Sequence, residues 1–284
     1  MNKLRKLKHT IYSINHQILE KKIQFNLAFF SHYILKSIPL FKGTIIKFPV
    51  TKFKYQNIIL QTRANTIDFW VCIESYEPDL TYFLASVLRT KVGTFIDVGG
   101  HIGRYTTLMA KKEWDVITFE PLKTNFDTIK DNLNLNNCKQ FVQLNNIGLG
   151  NQKSTETIYF NGKELAEASL FSSNERNLTT EIKIERFDDY YISTDKINDL
   201  CIVKIDVEGV EENVIRGMSK FIETHKPILI IELWGDKSKN LVPYLKSIGY
   251  TRLHIFWFIK EKHQELIDPM YKLYNKHSIQ RRYE

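Results

Sequence analysis

A doubly wound α/β sheet with an N-terminal helical and β extension is the fold class that the sequence predicts, on three observations. From Thr94 to Phe256, apolar runs of strand length alternate with stretches of helical periodicity. One of those runs, Phe95-Ile96-Asp97-Val98, ends in the glycine turn Gly99-Gly100-His101-Ile102-Gly103 that opens a helix. Of 284 residues, 43% are hydrophobic, 13% aromatic and 25% charged, enough apolar surface for a packed core and too much for a disordered chain.

Residues 1–43 carry helical spacing in two pieces, Ile11, Ile14 and Ile18, then Leu27, Phe30, Ile34 and Ile38 before Pro39 stops the run. Short runs rich in β-branched and aromatic residues follow, at 44–50, 57–62 and 67–73, and predict a small antiparallel element. Pro78 to Arg89 reads as a helix with Leu80, Phe83, Leu84, Val87 and Leu88 on one face. The alternation then runs strand 94–98, helix 102–112, strand 115–119, helix 123–136 and strand 141–144. An irregular stretch over 148–191 holds two short strand patterns, 155–160 and 181–187. Alternation resumes with strand 201–205, helix 211–223, strand 228–233, helix 237–247 and strand 251–256. The expected division is an extension over 1–74, a main domain over 75–260 and a tail over 261–284.

Lys and Arg number 40 against 32 Asp and Glu, a formal net charge of +8. Residues 1–60 hold eleven of the basic residues and a single acid, Glu20, so the rest, with 29 basic and 31 acidic residues, is nearly neutral. A duplex-binding enzyme needs positive charge around its pocket, so nucleic acid is not expected as a partner. The basic arm over 1–43 instead suits peripheral contact with an anionic membrane, with a solvated helical extension as the bland alternative. Cys72, Cys138 and Cys201 are odd in number and far apart, which argues against a disulfide or zinc framework, and no metal site is expected. No secretory leader or spanning helix is read, so the expected setting is cytoplasmic, with membrane-peripheral contact through residues 1–43 as the variant that the basic arm suggests.

In an open α/β sheet a nucleotide-like ligand sits outside the carboxyl end of the first strand. A dinucleotide would call for G-x-G-x-x-G there, and the second glycine would fall on His101 or Ile102, so that pattern fails. Asp-x-Gly-x-x-x-Gly suits S-adenosylmethionine: Asp97 can face its ammonium, its carboxylate can use backbone N–H groups, and Gly99, Gly100, His101 and Gly103 form the cofactor turn, the glycines letting the backbone approach without a Cβ clash. Glu120, ending the next strand in Phe119-Glu120-Pro121, is placed to accept the ribose hydroxyls. Asn145 and Asn146 are where an adenine amino group can be met, or ordinary turn residues.

The second chemical segment is Val203-Lys204-Ile205-Asp206-Val207-Glu208-Gly209-Val210-Glu211. Acids at a strand's carboxyl end can orient a hydroxyl or take its proton. Acids in a helix's first turn can also simply favour the macrodipole, the reading preferred for Glu211.

Asp97 to Tyr105, Phe119-Glu120-Pro121 with Asn125 and Asn132, Lys204 to Glu211, Pro227 to Trp234, and Tyr76-Glu77-Pro78 ahead of them resemble the FkbM-type methyltransferases in order and spacing. The likeness runs from about Tyr76 to Tyr250. It implies a class I methyltransferase fold with seven strands, the last antiparallel, S-adenosylmethionine as cofactor, and transfer mainly to hydroxyl oxygen. The family's turn commonly reads Gly-Ala-Asn-Ile-Gly, so His101 departs from it; a cofactor-side or structural role is expected first and a base second. Tyr105 belongs to the same cofactor segment.

For catalysis, Asp206 is the first candidate base and His101 the second, with Glu208 and Glu232 orienting the acceptor. No Pro-Pro occurs, whereas base and amine methyltransferases often carry one after the fourth strand. The expected acceptor is a saccharide or related metabolite hydroxyl, for which Trp70, Trp234 and Trp257 can offer stacking faces. The alternative from another class is an inactive methyltransferase-fold scaffold attached through its basic N-terminus. A glycosyltransferase is disfavoured because no Asp-x-Asp occurs at the expected sites.

Overall fold

The computed structural model describes residues 47–50, 58–63, 68–72, 76–88, 91–161, 164–169, 178–191, 197–233, 239–252 and 257–266. The helices expected within 1–43, the basic arm and most of the expected tail lie outside the described residues.

A short antiparallel hairpin of β1 (Lys47–Val50) and β2 (Leu60–Arg63) precedes α1 (Asp68–Val71) and α2 (Pro78–Tyr82). The helix at α1 corrects the strand expected over 67–73: Asp68 is fully buried and folds back on Arg63, which outweighs the β-propensity of its neighbours. α2 has proline in its first turn and runs on as a π-helical turn over Phe83–Val87. The alternating body follows as β3 (Thr94–Val98), α3 (Arg104–Lys111), β4 (Asp115–Phe119), α4 (Lys123–Leu135) and β5 (Val142–Asn145). Buried residues Asn125, Thr128, Ile129, Asn132 and Leu133 form the inner stripe of α4 at helical spacing.

Next come β6 (Gly148–Leu149), β7 (Ser154–Asn161), β8 (Glu164–Ser169) and β9 (Leu178–Glu185), a separate four-stranded sheet in the order β6-β9-β7-β8. The sequence reading found β7 and β9 but not β8, whose Glu-Leu-Ala-Glu-Ala-Ser has no β-branched residue. α5 (Phe187–Tyr190) ties this sheet back to the body, with the Phe187 and Tyr190 rings 5.8 and 5.4 Å edge-on to Phe119. The chain ends as β10 (Cys201–Ile205), α6 (Glu211–Gly217), α7 (Ser219–His225), β11 (Ile228–Ile231), α8 (Leu241–Ser247), β12 (Thr251–Arg252) and β13 (Trp257–Ile259). The single helix expected over 211–223 is two, broken at Met218; of the strand expected over 251–256, residues 251–252 form β12 and the rest lies outside the described residues.

Among the described residues, the central sheet runs β12-β13-β11-β10-β3-β4-β5, mostly parallel, with β13 antiparallel to both neighbours. Its two middle strands, Thr-Phe-Ile-Asp-Val and Cys-Ile-Val-Lys-Ile, are buried throughout because helices cover both faces. Alternation sends Phe95 and Ile202 into one core with α3 and α4, and Ile96, Val98, Val203 and Ile205 into the other with α6, α7 and α8. Ile58 and Leu60, ahead of the main domain, are fully buried in the first of these cores. Asn132 Oδ1 accepts the Gln61 N–H at 2.7 Å and Asn136 Oδ1 the Ile59 N–H at 2.8 Å, so α4 completes the hydrogen bonding of β2.

Candidate active site

The crevice is framed by the carboxyl ends of β4, β3, β10 and β11, which lie side by side. Register places Thr118, Asp97 and Lys204 in one row on the same face. Asp97 Oδ2 accepts the Thr106 hydroxyl at 2.6 Å, and Thr106 Oγ1 lies 3.0 Å from Thr118 Oγ1. Asp97 Oδ1 is buried without a hydrogen-bond partner among the described residues. Burial pushes the Asp97 carboxyl up, with Lys204 opposing.

The turn after β3 is fixed by backbone geometry. Gly99 has φ +87, and a Cβ there would stand 1.9 Å from the Asp206 carbonyl oxygen. Gly100 abuts Thr118 and Ile129, and Gly103, with φ +79, abuts Ile129, so these two glycines serve the close approach of turn and α4. Gly99 and Gly100 both donate their N–H groups to the Phe119 carbonyl, at 2.9 and 3.3 Å. Gly103 donates to Gly100 at 2.7 Å, and His101 donates to Glu120 Oε2 at 2.9 Å. All three glycine N–H groups are thus satisfied inside the chain, because a turn this tight must satisfy its own donors.

Glu120 is 4% exposed and collects donors from the His101 N–H, the Leu122 N–H at 2.9 Å and Asn125 Nδ2 at 3.3 Å. Burial nevertheless outweighs these and pushes its carboxyl up to about 7. Asn146 donates through Nδ2 to the Glu120 and Pro121 carbonyls, both at 2.9 Å, which leaves its amide oxygen to meet an amino group. Asn145 does not share that role: it donates to Thr118 and Gln143 and accepts from the Tyr190 hydroxyl, fastening α5 to the sheet edge.

On the other side of β3, Lys204 is 5% exposed, and its Nζ donates to Asp206 Oδ2 at 2.9 Å. Burial works against the ammonium, but Asp206, Glu77 and Asp97 together hold it firmly protonated. Burial likewise raises the Asp206 carboxyl, and Lys204 with a hydrogen bond from Glu232 more than reverses this, so Asp206 stays ionised. Glu232 is driven well above the usual carboxylate range by burial and by the Asp206 charge, so it holds the proton of the pair. Its own N–H donates to the Ile205 carbonyl at 3.0 Å, which sets it directly beside β10. Glu208 stands in the loop after β10 at φ +58. Glu211 accepts the Gly209 N–H at 2.8 Å, consistent with a helix-opening role.

Several site residues escaped the sequence reading. Arg63 makes a two-pronged pair with Asp68, Nε to Oδ2 at 2.7 Å and Nη2 to Oδ1 at 2.8 Å, and donates from Nη1 to Asn125 Oδ1 at 2.8 Å. Burial alone would raise Asp68, but Arg63 and His101 hold it well below the usual range. His101 Nε2 lies 3.3 Å from Asp68 Oδ1, so Asp68, Arg63, Asn125, Glu120 and His101 close a ring around the turn. Glu77, ahead of α2, accepts the Tyr105 hydroxyl at 2.6 Å, and burial raises its carboxyl against the pull of Lys204. Arg104 donates to the Val71 carbonyl, to Thr81 Oγ1 at 2.8 Å and to the Tyr76 carbonyl at 3.3 Å. The legible signal was a charge inside an apolar run: Lys204 in Cys-Ile-Val-Lys-Ile and Asp68 in Thr-Ile-Asp-Phe-Trp need a buried partner. Trp234 falls outside the described residues, as do the side chains of Trp70 and Trp257, while Trp114 is core. Among the described residues, no group of three His, Cys, Asp or Glu is arranged to hold a metal ion, and no helix is long and apolar enough to cross a membrane.

The model of the methyltransferase FkbM domain family matches residues 97–258. Methyltransferase 1 of Beauveria bassiana (strain ARSEF 2860) is 24% identical over 143 residues, 43% of this chain and 57% of that protein. Among solved structures, methyltransferase FkbM from Methylobacillus flagellatus KT is 20% identical with a TM-score of 0.46, over 67% of this chain and 50% of that one. The SAM-dependent methyltransferase from Agrobacterium tumefaciens is 8% identical with a TM-score of 0.38, over 66% and 53%. The chain thus spans about half the length of the relatives it matches.

Proposed function

The chain belongs to the methyltransferase FkbM domain family, and from that premise we propose that it transfers a methyl group from S-adenosylmethionine to a hydroxyl oxygen of a saccharide or related metabolite. The observation that carries this reading is the division of labour across β3. A buried carboxylate, Glu120, ends the strand on one side, and an ionised carboxylate, Asp206, beside a protonated one, Glu232, ends the strands on the other. The residues fit the cofactor: Glu120 would take the ribose hydroxyls, the Asn146 amide oxygen the adenine amino group, and the unpartnered Asp97 Oδ1 stands within a negatively charged neighbourhood suited to a cation.

When bound, S-adenosylmethionine supplies an electrophilic methyl group. The work left to the protein is to place an oxygen in line, exclude water and accept a proton. Asp206 would accept the acceptor's hydroxyl proton while the bound cofactor gave up its methyl group to that oxygen and left as the neutral thioether. A proton on an oxygen that is being alkylated is strongly acidic, so an ionised carboxylate suffices as base. Lys204 keeps Asp206 ionised for that step, and Glu232, whose single proton is donated to Asp206, keeps an oxygen that can accept a hydrogen bond from the acceptor.

The test combines calorimetric titration of S-adenosylmethionine with transfer of tritiated methyl groups into fractionated cell metabolites and glycans. Wild type binds and labels a hydroxyl-bearing fraction. Asp206→Asn binds within about threefold of wild type and loses labelling by at least 100-fold. Absence of binding at millimolar ligand overturns the enzyme reading, and an active Asp206→Asn removes Asp206 as base.

A further inference from the structure

The glycine turn cannot receive the amino-acid end of the cofactor through its glycine N–H groups, because Gly99, Gly100 and Gly103 donate them within the chain. With the ribose at Glu120 on the end of β4, the rest of the cofactor extends across β3 toward β10, about 5 Å per strand. Its amino-acid end therefore comes to the row of Asp97 and Lys204, where three carboxylates, Asp97, Asp206 and Glu77, act on a single ammonium. Asp206 is committed to Lys204 at 2.9 Å. Asp97 is sunk beneath Thr106, with one oxygen on the Thr106 hydroxyl and the other buried without a partner. Glu77 comes from outside the sheet, on the segment ahead of α2.

The sequence immediately after the turn holds that segment in place. Arg104 donates to the Tyr76 carbonyl and to Thr81 Oγ1, and Tyr105 donates its hydroxyl to Glu77 Oε2 at 2.6 Å. The first two residues of α3 thus clamp both ends of residues 76–81 over the site. Among the described residues, six non-glycine residues have positive φ; Glu113, Asn137 and Lys226 follow helices, where that conformation is ordinary. Glu77, at φ +41, is one of the other three, with His101 and Glu208, and all three lie at this crevice.

Resting on the proposed use of S-adenosylmethionine, we infer that Glu77 is the direct partner of the cofactor's α-ammonium, the segment at 76–81 serving as a fixed roof over its amino-acid end. The Tyr105 hydroxyl occupies one oxygen of Glu77 and orients the other, and a bound ammonium would add a direct partner for that oxygen where Lys204 and Arg104 act on Glu77 without hydrogen-bonding it.

Two probes that differ only in the amino-acid end test this: S-adenosylhomocysteine, which carries it, and 5′-methylthioadenosine, which does not. Both are titrated calorimetrically against wild type and Glu77→Gln. The variant should bind S-adenosylhomocysteine roughly 10- to 100-fold more weakly, the usual loss for a charge-assisted hydrogen bond, and methylthioadenosine within twofold of wild type. Unchanged affinity for S-adenosylhomocysteine, or an equal loss for both probes, overturns the assignment. Binding of neither probe to wild type overturns the cofactor reading instead, so the two failures are distinct. Methylthioadenosine also reports whether the adenosine half of the site is folded. If Glu77→Gln does not bind it, Glu77→Asp, which keeps the charge but retracts it by one methylene, is judged by the same selective loss.

Discussion

Glu120 is a buried carboxylate at the proposed ribose site, and replacing it separates its effect on the fold from its effect on binding. Its carboxyl is pushed from 4.5 to about 7 by burial, which at about 1.4 kcal/mol per pH unit is worth about 3 kcal/mol. The folded pKa lies above the unfolded one. Its contribution to stability is therefore complete below about pH 4.5 and is lost as pH rises through 7, where the folded state must accept a buried charge. Glu120→Gln has no such step. The amide keeps an oxygen for the Leu122 N–H, but its NH2 meets the His101 N–H donor to donor, a cost of about 1–3 kcal/mol at every pH. Urea unfolding from pH 4.5 to 8 should therefore show the variant less stable in acid, and gaining on wild type by about 3 kcal/mol by pH 8. Groups that titrate in both proteins cancel in the difference. Parallel stability profiles would refute the claim that Glu120 ionises at a cost to the fold. The same variant should lose S-adenosylmethionine affinity by roughly 10- to 100-fold, since a neutral amide replaces a charged acceptor for the ribose.

Two further substitutions test the frame on which the site is built. Gly99→Ala places a Cβ 1.9 Å from the Asp206 carbonyl at φ +87, so it should cost more than about 3 kcal/mol in urea unfolding, or abolish soluble protein; a cost under about 1 kcal/mol contradicts the packing of β3 against β10. Lys204→Met keeps the length of the side chain and removes the cation from Asp206, Glu77 and Asp97, and should lose about 3–5 kcal/mol at pH 7 and less below pH 5 as the carboxylates protonate. A loss that does not shrink in acid would mean that packing, not charge, is what Lys204 supplies.

The parts of this molecule legible in the sequence are those whose physics is local. β3 and β10 read correctly because a parallel strand covered on both faces is a continuous apolar run, and the turn at Gly99 read correctly because only glycine suits its conformation. Asp206, Glu120 and Asn146 were expected just past strand ends, and that is where they stand, after β10, β4 and β5. What failed depended on tertiary partners: α1 is a helix where Asp68 pairs with Arg63, five residues before it, and the N–H groups of Gly99 and Gly100 are occupied because the Phe119 carbonyl lies opposite them. The roles of Glu77 and Arg63 were not legible because the Tyr105 hydroxyl and Asn125 that they meet lie 28 and 62 residues away.

His101 shows how such distant partners bear on the chemistry. The related turn commonly carries asparagine at this position, and asparagine and histidine both tolerate the left-handed backbone found here at φ +52. Local conformation therefore does not choose between them. Reach does: the imidazole Nε2 extends to within 3.3 Å of Asp68, while the N–H of the same residue donates to Glu120. One residue thus joins the ribose-side carboxylate to a buried pair, Asp68 and Arg63, whose other end returns through Asn125 to Glu120. In this ring each group limits the freedom of the next, so the orientation of Glu120 is set from both sides before any ligand arrives. β2 and α1, which lie ahead of the segment matched by the family model, thus supply Arg63 and Asp68 to the surroundings of Glu120 and belong with the proposed cofactor site.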